Sequence, residues 1–176
     1  LWNHWRRQPV VFSALLFVLL GFLTAFCHTI LANITSILGI APDFVMIIIL
    51  LIILRKDFQI AFPAVLMVAL IVDALNPETF GFGAFIRFGL ALIVYELKQQ
   101  MNLEMLSSRM YVLIGTETVF QLLYQLVAHS FDIGTVMQIY LESSLPTLAY
   151  TSAVGFLVFF ILDLEIKVDV RRRKVD

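Results

Sequence analysis

The basic residues of this sequence sit on every second connection between apolar stretches, and no other feature constrains the fold as much. Apolar segments of membrane-spanning length recur along the whole chain, broken only by short polar links. Arg6 and Arg7 precede the first segment, and Arg55 and Lys56 separate the second from the third. Lys98 and Arg109 flank the link from the fourth to the fifth, and five basic residues follow the sixth. The alternate links, Leu31–Ala41, Asn76–Thr79 and His129–Gly134, contain none. Of the 12 Lys and Arg residues, only Arg87 lies inside a segment. The positive-inside rule then gives an all-α integral membrane protein, a bundle of six transmembrane helices with both termini cytoplasmic.

The expected spans are roughly 9–30, 42–54, 59–75, 80–97, 109–128 and 136–162, in one transmembrane domain followed by a basic cytoplasmic tail, 163–176. A hydrophobic content of 61% against 14% charged residues excludes a soluble helical domain, whose helices need polar faces. The second span is short: from Pro42 to Leu54 an α-helix covers about 20 Å, against a hydrocarbon core of about 30 Å. It must be extended by the residues before it, be sheltered by protein, or thin the bilayer. Leu31, Ile34 and Leu38 recur at helical spacing in the first polar link, which suggests a short helix lying on the membrane surface. Trp2 and Trp5 beside Arg6 and Arg7 form an interfacial flank ahead of the first span.

The third and fourth spans make a hairpin, Ile60–Lys98, with two charges inside its apolar walls. Asp73 and Arg87 lie symmetrically about Phe80, so an ion pair across the hairpin is the economical arrangement. Glu142 in the sixth span is a rival partner for Arg87. Gly81 and Gly83 relax the turn, and Ala61, Ala64 and Ala69 thin one side of the third span, which admits close helix approach within the fold or by a partner. Glu117, Gln121 and Gln125 recur every four residues on the fifth span and form one polar stripe, and Glu142 adds a further buried polar group. Such a stripe points into the bundle, at a cavity, or at another protein.

No pair of the three histidines has ligand spacing on one helix, so no metal site is expected, and no cofactor. No hydrolase, nucleotide-binding or metalloprotease motif appears, which argues against an enzyme. No nucleic-acid partner is expected; the expected surroundings are a lipid bilayer.

From Ala41 to Lys98 the chain resembles the bacterial rod-shape-determining MreD family. The resemblance rests on Ala41-Pro42-Asp43 opening an apolar helix, on a small-residue-rich helix ending in Val72-Asp73-Ala74, on Gly81 eight residues beyond the aspartate, and on a following helix that closes on Tyr95. Alanines stand in the third span where that family often has glycines. The resemblance implies a non-enzymatic inner-membrane scaffold of the elongation, or rod-shape, complex, which helps to organise peptidoglycan synthesis. Its partner would be the single-span protein MreC, which links it indirectly to MreB filaments, the glycosyltransferase RodA and its transpeptidase. The family is also similar in fold to substrate-binding S components of energy-coupling-factor transporters. The alternative expectation is therefore a membrane subunit that binds a small molecule such as a vitamin or a metal.

Overall fold

The computed structural model describes residues 8–37, 39–75, 81–101, 103 and 105–172, with side chains from 16 to 164. The interfacial flank at 2–7, the centre of the hairpin turn at 76–80 and the end of the basic tail at 173–176 lie outside the described residues. The described chain is helical: α1 (Gln8–Thr35), α2 (Phe44–Arg55), α3 (Phe58–Asp73), α4 (Phe82–Gln100), α5 (Leu106–Ala128), α6 (Ile133–Ile139) and α7 (Leu145–Arg172). A single π turn, Tyr140–Ser144, fuses α6 to α7, so the helices make six rods. No strand occurs among the described residues.

Three of the rods are long and apolar enough to cross a membrane, over Leu16–Thr35, Leu106–Ala128 and Ile133–Leu164. α2 and α3 are apolar but shorter. The outward faces fit a lipid surround. Leu19, Phe22 and Phe26 on α1, Phe85 on α4, Tyr111 on α5 and Leu157 on α7 are all exposed, an apolar surface far larger than water tolerates.

α2 explains how a short apolar helix is accommodated. It packs against α1, α3, α4, α5 and α7, and Val45, Met46, Ile47, Ile49, Leu50 and Ile53 are fully buried. No residue from 44 to 54 is exposed. Shelter by protein is therefore the solution here. Its last carbonyls are capped from another helix: Lys98 Nζ donates to Ile53 O at 2.9 Å and Lys56 O at 3.2 Å. Cations are favoured at this end of a helix.

Two expected features differ. Leu31–Thr35 is the last turn of α1 and not a separate surface helix. Thr35 folds its hydroxyl onto Leu31 O at 2.6 Å, which satisfies it within the same helix. The chain then reverses through Ile37 and Ile40, which exchange both backbone hydrogen bonds across Gly39 at φ +82°. The last rod begins earlier than expected, at Ile133, and widens just before Pro146. Proline lacks an N–H and crowds the carbonyl four residues back. A π turn, in which Leu145 N donates to Tyr140 O, makes room for it.

Packing between rods uses small residues where backbones cross. A Cβ on Gly21 of α1 would come 2.5 Å from Ile71 Cδ1 and 3.2 Å from Met67 O of α3. Ala61, Ala64 and Ala69 of α3 are all buried in the bundle.

Candidate functional site

The polar groups of the bundle converge where α2 and α4 begin and α3 ends. Asp43 precedes α2, and its Oδ1 accepts from Met46 N at 3.0 Å. That is the N-cap role expected of an aspartate ahead of an apolar helix. Its Oδ2 accepts from Arg87 Nη2 of α4 at 3.2 Å. Its backbone N–H donates to Thr151 Oγ1 of α7 at 2.9 Å. Asp43 and Arg87 are 7% and 9% exposed. The guanidinium also lies over the Phe120 ring of α5, 4.2 Å from its centroid. One buried pair thus ties four helices together.

The partner of Arg87 is therefore Asp43, and neither of the candidates drawn from the sequence. Asp73 accepts from the backbone N–H of Gly81 and so caps the entry to α4. Gly81 has φ +89°, a left-handed conformation costly for other residues. Gly83 lets the carboxylate approach, because a Cβ there would collide with Asp73 Oδ1. Glu142 is exposed on the π turn, where its carboxylate accepts from Gln138 Nε2 at 3.0 Å. The widened turn carries Glu142 outward, away from the buried position expected of it.

The stripe on α5 divides. Glu117 is 0% exposed and accepts from Gln121 Nε2 at 2.8 Å through Oε1, while Oε2 has no partner among the described residues. Gln121 and Gln125 are half-buried and line a cavity of about 310 Å³. Asp43, Asp73 and Arg87 form its charged wall, and Phe120 and Tyr124 its aromatic one. His28 of α1 and Thr147 of α7 complete it. The cavity exists because rods differ in length. From Thr147 back to Ile133 the last rod runs about 20 Å further than the starts of α2 and α4, and α1 and α5 also continue beyond that level.

A second ion pair lies far from this site. Arg109 Nη1 of α5 meets Asp163 Oδ1 of α7 at 2.6 Å, and Arg109 Nε also donates to Leu103 O. Among the described residues, no group of three or more His, Cys, Asp or Glu side chains is placed to hold a metal ion. Sequence reasoning missed Asp43 as the hub, weighed His28 only as a metal ligand, and missed Phe120 and Thr151 altogether. Only Asp43 carried a signal, the N-cap pattern Pro-Asp before a buried helix.

No protein-family model matches this chain, and no curated protein or solved structure does either.

Proposed function

We propose that this protein is a non-enzymatic scaffold of the bacterial inner membrane, the role implied by its resemblance to the MreD family. It crosses the bilayer six times with both termini in the cytoplasm. It binds MreC and through it meets MreB, RodA and the transpeptidase of the elongation complex. The observation that carries this reading is that residues of the resemblance meet in space. Asp43, Asp73 and Gly81, drawn from the starts and ends of three different helices, border one polar centre together with Arg87.

Their charges hold α2, α4, α5 and α7 to one another, which fixes the apolar outer faces of α4, α5 and α7. A rigid apolar face in lipid suits recognition of a partner's membrane helix, where association depends on close packing. The one-sided basic residues support the orientation. Lys98 reaches the carbonyls of Ile53 and Lys56, so the links after α2 and α4 meet at the same end of the bundle. Co-purification of this protein with MreC from mild detergent tests the reading, and failure of the unmodified proteins to associate overturns it. Single cysteines at Ser107 and Ser130, introduced after Cys27→Ser, test the topology. A membrane-impermeant maleimide added to intact cells is expected to label position 130 alone.

The cavity favours a second reading, a membrane subunit that binds a small molecule for transport. It predicts a compact ligand retained on gentle purification and identified by mass spectrometry. Recovery of the protein with an empty or lipid-filled cavity argues against it.

A further inference from the structure

We propose that the cavity between α1, α5 and α7 binds a small organic cation, a protonated amine, with Asp73 as its counter-charge. This goes beyond the scaffold role. It rests on the second reading, for which it names the ligand class.

Among the described residues, Asp73 accepts from Gly81 N but has no direct ion-pair partner. Its side chain is 1% exposed and borders the cavity. Arg87, the cation expected to neutralise it, is held by Asp43 at 3.2 Å and by the Phe120 ring at 4.2 Å. Among the described residues, no Lys or Arg lies within ion-pairing distance of Asp73. The Gly81 N–H and the start of α4 add about half a positive charge beside the carboxylate. The Arg87 guanidinium and the Asp73 carboxylate both stand against Gly83, so one cation serves two buried aspartates, and a second cation in the cavity balances them.

The rest of the wall agrees in sign. Gln121 gives its amide N–H to Glu117, which leaves its carbonyl oxygen as an acceptor. Gln125 and Thr147 add polar groups that accept from an ammonium N–H. Asp43 and Asp73 outnumber Arg87 in the wall, so it carries an excess of acidic groups. The absence of a metal-ligand group among the described residues, and the aromatic wall at Tyr124, favour an organic cation over a metal ion. At about 310 Å³ the cavity is far larger than a bare ion and sits at the small end of ligand pockets, roughly 300–1,000 Å³. The body of the amine is therefore compact.

The test uses the full chain in lipid nanodiscs, with calorimetric titration and thermal unfolding. The probes are n-butylammonium and benzylammonium, the matched alcohols 1-butanol and benzyl alcohol, and the matched anions butyrate and benzoate. At least one ammonium is expected to bind saturably and raise Tm, with its alcohol and carboxylate analogues at least tenfold weaker. Asp73→Asn keeps an acceptor for Gly81 N and is expected to weaken ammonium binding tenfold or more. Glu142→Gln, on the exposed π turn, is expected to change nothing. The ranking of the six compounds on the unmodified chain stands even if the Asp73 variant fails to fold. Tighter binding of an alcohol or carboxylate overturns the cation assignment and leaves the small-molecule reading standing. Ammonium binding unchanged in Asp73→Asn also overturns the proposal. Absence of saturable binding by all six compounds overturns it together with the small-molecule reading, while the scaffold role is decided separately by MreC.

Discussion

Arg87 is the residue whose loss discriminates most sharply between ways of holding this bundle together. At 3.2 Å, and with an effective dielectric of about 20, the Asp43–Arg87 attraction is about 5 kcal/mol before desolvation is counted. Breaking a buried pair from one side leaves the other charge stranded and costs about 3–5 kcal/mol. Arg87→Leu is therefore expected to destabilise by about 3–4 kcal/mol, because it also empties the face of Phe120. Asp43→Asn should cost less, about 2–3 kcal/mol, since an asparagine oxygen still accepts from Met46 N. The double variant removes both charges, so it should fall short of the summed losses by about 2 kcal/mol. Equilibrium unfolding in mixed micelles, followed by far-ultraviolet circular dichroism, measures all four states of the cycle. A parallel cycle with Asp73→Asn and Arg87→Leu is the control. Coupling below about 0.5 kcal/mol for Asp43–Arg87, with more than about 1.5 kcal/mol for Asp73–Arg87, would refute the assignment and restore a pair across the hairpin.

Three further perturbations follow from contacts described above. Gly83→Ala drives a methyl into the Asp73 carboxylate and is expected to cost about 1–3 kcal/mol, measured by the same unfolding assay. An unchanged midpoint would mean that Asp73 does not sit against α4. Gly21→Val places two more methyls against Ile71 and the backbone of Met67, so α1 should separate from α3 and become cleavable by protease in detergent at lower temperature. Asp132 caps α6 from outside the spans. The Thr135 hydroxyl and the Gly134 N–H hold its carboxyl below the usual aspartate range. Because the folded value is the lower one, this contribution is complete above the ordinary aspartate pKa and is lost as pH falls through the depressed value. Protection factors in residues 133–139, taken relative to the intrinsic exchange rate at each pH, should therefore fall in acid, and Asp132→Ala should abolish that change.

The helices were legible because lipid permits few alternatives: a spanning segment must be continuously apolar and internally hydrogen-bonded. α2 shows where that signal ends. Its sequence reads as an incomplete span, and only the packing of five helices around it reveals that it needs no lipid contact of its own. The last rod starts three residues before the expected 136 because Gly134, which reads as a link residue, lies in the first turn of a helix capped by Asp132. At Pro146 a single widened turn lets that helix continue. The end of α1 was misjudged for a related reason. Asn33 and Thr35 look like link residues, yet a threonine that bonds to the preceding turn carries no penalty at the end of a helix.

The charged centre shows a different limit. Symmetry about Phe80 suggested that Asp73 and Arg87 share a depth, but the hairpin is not symmetric. α3 ends at Asp73 itself, whereas Arg87 lies five residues inside α4, which begins at Phe82. Those five residues are about 7.5 Å of rise, enough to bring Asp73 beside Gly81 and to leave Arg87 a full turn deeper. The group that meets Arg87 at that depth arrives from the other end of the chain order. Asp43 enters at the first turn of α2, 44 residues earlier. Its N-cap signal was readable, but a cap uses one carboxylate oxygen and leaves the second free to pair. Which cation takes that second oxygen depends on how α2 and α4 pack, and no periodicity in either helix encodes it. The same packing leaves one guanidinium between two aspartates at the cavity, so the ion pair that closes the bundle also leaves the acidic excess that an amine would meet.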